Sequence, residues 1–139
     1  MELSSPDMLC VNLAYMLDWE QSHLQVRQVA GLSLKSQIEK HFAILRMSTI
    51  DYVKKQTMNV FSSTNSRLIK VVSHVMSMIV QRGGFNIWPE LLGYLVNNLT
   101  KECFSEDATE NELNMAVVEN SIHTISLIVE DCQSLFEDQ

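Results

Sequence analysis

The stretch Gly83-Gly84-Phe85-Asn86-Ile87-Trp88-Pro89-Glu90-Leu91-Leu92 decides the fold. Glycine reaches positive φ without steric cost, so a glycine pair can stop a helix. Trp88 is a large apolar anchor. Pro89 suits the first turn of a new helix, where its missing N–H has no helical partner to lose. Glu90 adds negative charge to that turn, where the helix dipole favours it. A long helix therefore ends, the chain reverses within a few residues, and a second helix begins: a helical hairpin.

Upstream of this turn, Arg67 to Arg82 is the most apolar segment. Leu68, Ile69, Val71, Val72, Val75, Met76, Met78, Ile79 and Val80 point almost all round it, so it belongs between layers. Ser62-Ser63-Thr64-Asn65-Ser66 is the turn before it. Before that, Ser48 or Thr49 is expected to cap a helix whose buried side is Ile50, Val53, Thr57, Val60 and Phe61. Leu24 to about Phe42 is another helix, in which Ala30 and Gly31 let a neighbour come close. Ser5-Pro6-Asp7 reads as a helix start, with Ser5 as cap, leading to an apolar helix that ends near Trp19. That helix calls for cover on two sides, and an uncovered apolar side is expected on it. Downstream, Leu91, Leu92, Leu95, Val96 and Leu99 face inward. Glu102 to Glu112, with Ser105-Glu106-Asp107 at its middle, reads as an acidic loop, and Leu113 to Leu127 or beyond as a last helix.

The 139 residues suit one domain, and an apolar share of 46% can build a core. A formal charge of −7 disfavours non-specific nucleic-acid binding and suits a basic partner better. The apolar run from Met8 to Leu17 is too short to span a membrane. Cys10, Cys103 and Cys132 fit neither a zinc spacing nor a disulfide framework. No run alternates over strand length, so the class is all-α.

The helical hairpin recurs. Starts near Asp7, Thr49 and Pro89 are spaced as in HEAT units of roughly 40 to 47 residues. Val26-Arg27-Gln28-Val29-Ala30 lines up with Ile69-Lys70-Val71-Val72-Ser73. One hairpin cannot bury its own faces, so the pattern predicts an α-solenoid of about three HEAT-like repeats in a right-handed superhelical stack. The expected partition is a helix of a truncated first repeat at about 5–19, a second repeat at about 22–62, a third at about 65–101, and the start of a fourth at about 111–132.

These residues also resemble the importin-β family. Val26-Arg27-Gln28-Val29-Ala30-Gly31-Leu32-Ser33-Leu34-Lys35-Ser36-Gln37-Ile38 is similar to its N-terminal Arg and Leu-Lys helix. Asp51-Tyr52-Val53-Lys54, the Asn86 to Leu92 string and Val129-Glu130-Asp131 look like its transportin branch. The similarity runs in order from about Ser5 to Phe136. Ser36 stands where the family has Asn, Lys70 replaces an Arg, and the acidic loop around Glu106 is longer. The resemblance implies an N-terminal piece of a nuclear transport receptor, beginning inside the first repeat and shuttling between cytoplasm and nucleus. Its implied partner is the GTPase Ran in its GTP state, met chiefly by the second helix of each repeat on the concave face. Cargo bearing a nuclear localisation signal would need C-terminal repeats, and nucleoporins are partners of full-length members. Neither nucleic acid nor membrane is implied.

The polar faces of the helices read as second helices are Asp51, Lys54, Lys55 and Asn59, then Glu90, Tyr94, Asn97 and Asn98. They are the candidate Ran-binding residues, with Tyr94 foremost because an exposed tyrosine offers area and a hydroxyl. The plainer reading is a solvated helix face. Arg27 and Lys70 read as rungs of an inter-repeat ion-pair ladder. His74 and His123 fall at equivalent points on helices expected to be largely buried. No Ser-His-Asp order, phosphate loop, His-x-x-x-His or Cys-x-x-Cys is present, so no catalytic residue, cofactor or metal is assigned. The other functional readings are a HEAT scaffold of another kind, such as a phosphatase or ubiquitin-ligase regulator, and a helical enzyme domain.

Overall fold

The computed structural model describes residues 5–63, 65–103 and 106–133. Expectations placed on the Ser5 side chain, Thr64, Ser105 and Phe136 lie outside the described residues. The helices are α1 (Ser5–Asp18), α2 (Leu24–His41), α3 (Met47–Phe61), α4 (Ser66–Gly83), α5 (Pro89–Asn98) and α6 (Ala108–Asp131), with short 3-10 turns at Phe42–Ile44 and Phe85–Ile87. Among the described residues there is no strand. The chain is all-α and consistent with an α-solenoid.

The glycine turn is built as its residues require. Gly84 takes φ +82° and its N–H bonds the Val80 carbonyl at 2.7 Å, closing α4. A side chain on Gly83 would run into Ile87 and Phe42, so the turn packs tightly there. Trp88 is buried, and Pro89 opens α5. At the other end of α4, the Asn65 side chain accepts from the N–H groups of Arg67 and Leu68 at 3.1 Å each.

Helix α4 organises the packing. Apart from His74, every side chain from Val71 to Val80 is buried, and α4 meets α2, α3 and α6. The predicted helix between layers is what forms. Gly31 of α2 lies directly against Val71 of α4, with Leu17 of α1 beside it, so the small Ala30–Gly31 pair does bring two helices close. The most extensive contacts run α1 to α2, α2 to α4, α1 to α3, α4 to α6, α3 to α4 and α5 to α6. Helices α2, α4 and α6 thus form one row, and α1 and α3 lie side by side in the other. Helix α2 leans on α1 and α4 rather than mainly on α3.

Polar side chains fix the register of these contacts. Asp7 of α1 is 1% exposed; its carboxylate accepts the Arg46 N–H at 2.8 Å and the Thr49 hydroxyl at 2.7 Å. Neither Ser48 nor Thr49 caps α3 as expected. The helix starts at Met47 without a side-chain cap of its own, and Thr49 turns its hydroxyl inward to Asp7. Helix α1 therefore supplies the acceptor at the start of α3. Between α4 and α6, the hydroxyls of Ser73 and Thr124 meet at 2.8 Å, and Ser77 donates to Asp131 at 2.9 Å. One hydroxyl of the Ser73–Thr124 pair donates across the interface; the other donates to the carbonyl one turn back on its own helix.

Further expectations need correction. Val96 and Leu99, expected to face inward, are exposed. Helix α6 begins at Ala108 rather than Leu113, because the Asp107 side chain accepts from Thr109 N–H at 2.9 Å and Glu110 N–H at 3.3 Å. Arg27 is no ladder rung: its Nε donates to the Leu17 carbonyl at 2.8 Å, where positive charge meets the end of α1. Lys70 is exposed and joins no ion pair among the described residues, whereas Arg82 and Glu39 link α4 to α2 at 3.8 Å. Of the histidines, His123 is exposed and His74 half-buried. The outer sides of α1 and α2 expose Met8, Leu9, Tyr15 and Trp19, then Val26, Val29 and Leu32, so the uncovered apolar side of α1 is present.

Removing the Asp7 carboxylate leaves a buried hydroxyl and an N–H without this acceptor. Asp7→Ala is expected to lower stability by about 1–3 kcal/mol, read as a reduced urea midpoint at unchanged slope. His74 gives a pH effect. Burial lowers its pKa from 6.5, and Lys35 and His123 lower it further, against an opposing pull from Asp131. The unfolded chain then binds the proton more readily. The contribution is intact above about 6.5 and is lost as pH falls from there through the depressed folded value. Urea unfolding at successive pH values should show that loss, and His74→Gln should flatten it.

Candidate partner-binding surface

The eight predicted contact residues fall on α3 and α5. On α3, Asp51, Lys55 and Asn59 are exposed. Lys54 is half-buried and committed to the fold. Its ammonium donates to the Ile87 carbonyl, pairs with Asp51 at 3.7 Å and sits 5.8 Å from the Trp88 ring centre. Lys54 thus ties α3 to the turn that starts α5. Asn59 donates to Asp18 of α1 at 3.4 Å.

On α5, Glu90 and Asn97 are exposed, but Tyr94 and Asn98 are not as expected. Tyr94 is half-buried, edge-on to Phe61 with ring centres 6.1 Å apart. Its ring is spent on joining α5 to α3. Asn98 is only 6% exposed, and its amide donates to the Ser121 hydroxyl at 3.1 Å. A short helix packed on α6 turns its last polar residue inward, which a helical wheel drawn for α5 alone does not reveal.

Tyr94, Asn97 and Asn98 are brought together around a hollow of about 530 Å³, which Phe61, Ile69, Lys101, Leu113 and Asn120 also line. The α3 residues lie apart from it, except Phe61 at the end of that helix. Leu113 and Asn120 enter through α6, whose early start was legible in the Asp107 to Glu110 capping spacing.

The pairing of helices bears on which face a partner meets. Helix α3 packs on α4, which follows it, and α5 on α6. All eight residues therefore sit on the leading helices of these pairs. On the row of trailing helices, Lys35 of α2 and His123 and Asp131 of α6 lie close enough to His74 of α4 to act on it electrostatically.

Nothing in the described residues groups three or more His, Cys, Asp or Glu side chains in a way that could hold a metal ion. Nor is any described helix long and apolar enough to cross a membrane. The buried thiols of Cys10 and Cys132 are pushed up in pKa, Cys10 to about 11, by burial first and then by Asp7 and Asp131 respectively, so neither is poised as a nucleophile.

No family model matches the chain. Over 106 residues, 76% of its length, the chain is 30% identical to transportin of Dictyostelium discoideum. It spans about a tenth of that relative, the alignment covering 10% of its length. The match supports a karyopherin relationship, transportin-like at the level of family.

Lys54 and Lys55 test the division between structural and outward residues on one helix. Lys54→Ala should cost about 1–2 kcal/mol in urea unfolding, through the lost carbonyl bond and ring contact. Lys55→Ala should stay within about 0.5 kcal/mol of the parent, as exposed substitutions do.

Proposed function

We propose that this chain is part of a nuclear transport receptor that contacts Ran in its GTP state, and is not an enzyme. The observation that carries this reading is the 30% identity to transportin over 76% of the chain. The all-helical packing, in which a helix buried through its central turns is shared by three neighbours, accords with a stacked-repeat receptor. The repeat units are taken as 5–41, 47–83 and 89–131, following the helix pairs in contact. Shuttling between cytoplasm and nucleus goes with this reading, and cargo bearing a nuclear localisation signal would be held by further repeats.

The resemblance assigns Ran contact to the second helix of each repeat. With these units the second helices are α2, α4 and α6. The proposed contact surface is therefore that row, with exposed Lys70 and His123 and half-buried Lys35 as its polar residues, rather than the α3 and α5 set. Outward charges of this kind steer encounter and fix register more than they tighten a complex.

The test is capture of the chain by immobilised Ran loaded with GTP or GDP. GTP-dependent capture is expected. Lys35→Glu with Lys70→Glu should weaken it on the order of tenfold, while Asp51→Lys with Lys55→Glu should leave it nearly unchanged. Equal capture by both nucleotide forms, or none at low salt, would remove the Ran reading. Loss confined to the α3 pair would move the surface to the other row.

A further inference from the structure

Where α1 ends, its side chains and those of α3 enclose a hollow of about 430 Å³. Tyr15, Trp19 and Tyr52 line it together with Asp18, Glu20 and Gln56. Tyr15 lies in the last turn of α1 and Trp19 just past its end. Their rings are 6.3 Å between centres, tilted by 40°, and the two residues are 59% and 49% exposed. Large aromatic faces are rarely left in water when a core can take them, and here they flank two carboxylates.

Those carboxylates have no cation. Asp18 receives a long 3.4 Å bond from the Asn59 amide, and neither Asp18 nor Glu20 joins an ion pair among the described residues. Of the basic side chains on the flanking elements, Arg27 is used on the Leu17 carbonyl and Lys54 on the Ile87 carbonyl, while Lys55 beside Gln56 is exposed and forms no ion pair among the described residues. The Tyr52 hydroxyl is raised in pKa, by burial first and then by Asp18 and Tyr15, so a further negative charge is disfavoured there.

The chemistry selects the guest. An apolar plug would strip water from Asp18 and Glu20 without replacing it. An anion would be repelled. A cationic side chain satisfies both halves of the lining, lying against the indole face while its N–H groups reach the carboxylates. Arginine fits best, because its planar guanidinium stacks and bonds at once. The chain's charge of −7 also draws basic segments toward it.

We propose that this hollow receives an arginine or lysine side chain from a basic segment of a partner protein. The site lies on α1 and α3, not on the α2–α4–α6 row, and it requires nothing of the Ran reading.

The test uses the whole chain, nitrogen-labelled, with three blocked pentapeptides alternating glycine with arginine, lysine or citrulline. The reporter is the indole N–H signal of Trp19, assigned through Trp19→Phe, with buried Trp88 as the internal reference. The arginine or lysine peptide should shift the Trp19 signal saturably and leave Trp88 still; the citrulline peptide should shift neither. Asp18→Asn with Glu20→Gln should weaken binding by at least about fivefold, with helix content unchanged. Glu119→Gln with Glu130→Gln, an equal charge change on α6, should leave it within about twofold. The proposal is overturned if citrulline shifts Trp19 as arginine does, if neither basic peptide shifts it, or if the α6 pair weakens binding as much as the α1 pair.

Discussion

The structure depends on the burial of α4. A helix with apolar residues round most of its circumference cannot rest on a surface, because each exposed Val, Ile or Met side chain forgoes about 1.5–3 kcal/mol of transfer free energy. It must be surrounded, and α2, α3 and α6 surround it. Helices α2, α3 and α6 all pack on α4, the helix they hold in common.

Burial on this scale is non-directional and would tolerate sliding. The polar side chains inside it do not. Asp7 takes donors from Arg46 and Thr49, Ser73 meets Thr124, Ser77 meets Asp131, and Asn98 meets Ser121. Shifting a helix by one turn would part these groups and leave them buried without partners, which costs more than any one bond contributes. The fold therefore divides the labour: apolar surface supplies the driving force, and a few hydroxyls, an amide and carboxylates select one register. Gly31 belongs to the same scheme, since the approach of α2 to α4 leaves no room for a Cβ against Val71.

Elements governed by local chemistry were legible in the residues. The Gly84 stop, the Pro89 start and the all-round apolar α4 each follow from properties of one or two residues or of one helix. What was not legible required knowing which helix faces which. Asn98 and Tyr94 read as outward on the wheel of α5, but the partners that draw them in, Ser121 and Phe61, sit on α6 and α3. Thr49 resembled a cap because its real partner, Asp7, is far away in the chain. The hollow at Tyr15 and Trp19 was hidden for the same reason, with Tyr52 and Gln56 of its lining arriving from α3. By contrast, the Asp107 cap of α6 was readable and was masked only by the acidity of the segment around it.

Stacking in two rows has a consequence for recognition. A side chain on the α2–α4–α6 row has neighbours from successive trailing helices, and one on the α1–α3 row has neighbours from successive leading helices. The two rows also share surface where they meet, as in the hollow lined by Phe61, Ile69, Tyr94 and Asn120. Lys54 shows how this limits a partner. It is polar and sits on a helix face that reads as solvated, yet it is held by Ile87, Asp51 and Trp88 and cannot turn outward without loosening α3 from α5. A side chain serves recognition here only where the stack has left its polar atoms unclaimed. Lys70 and His123 on one row and Glu20 at the end of α1 meet that condition, and Asp18 carries only the long 3.4 Å bond from Asn59, so each row offers its own residues to a partner.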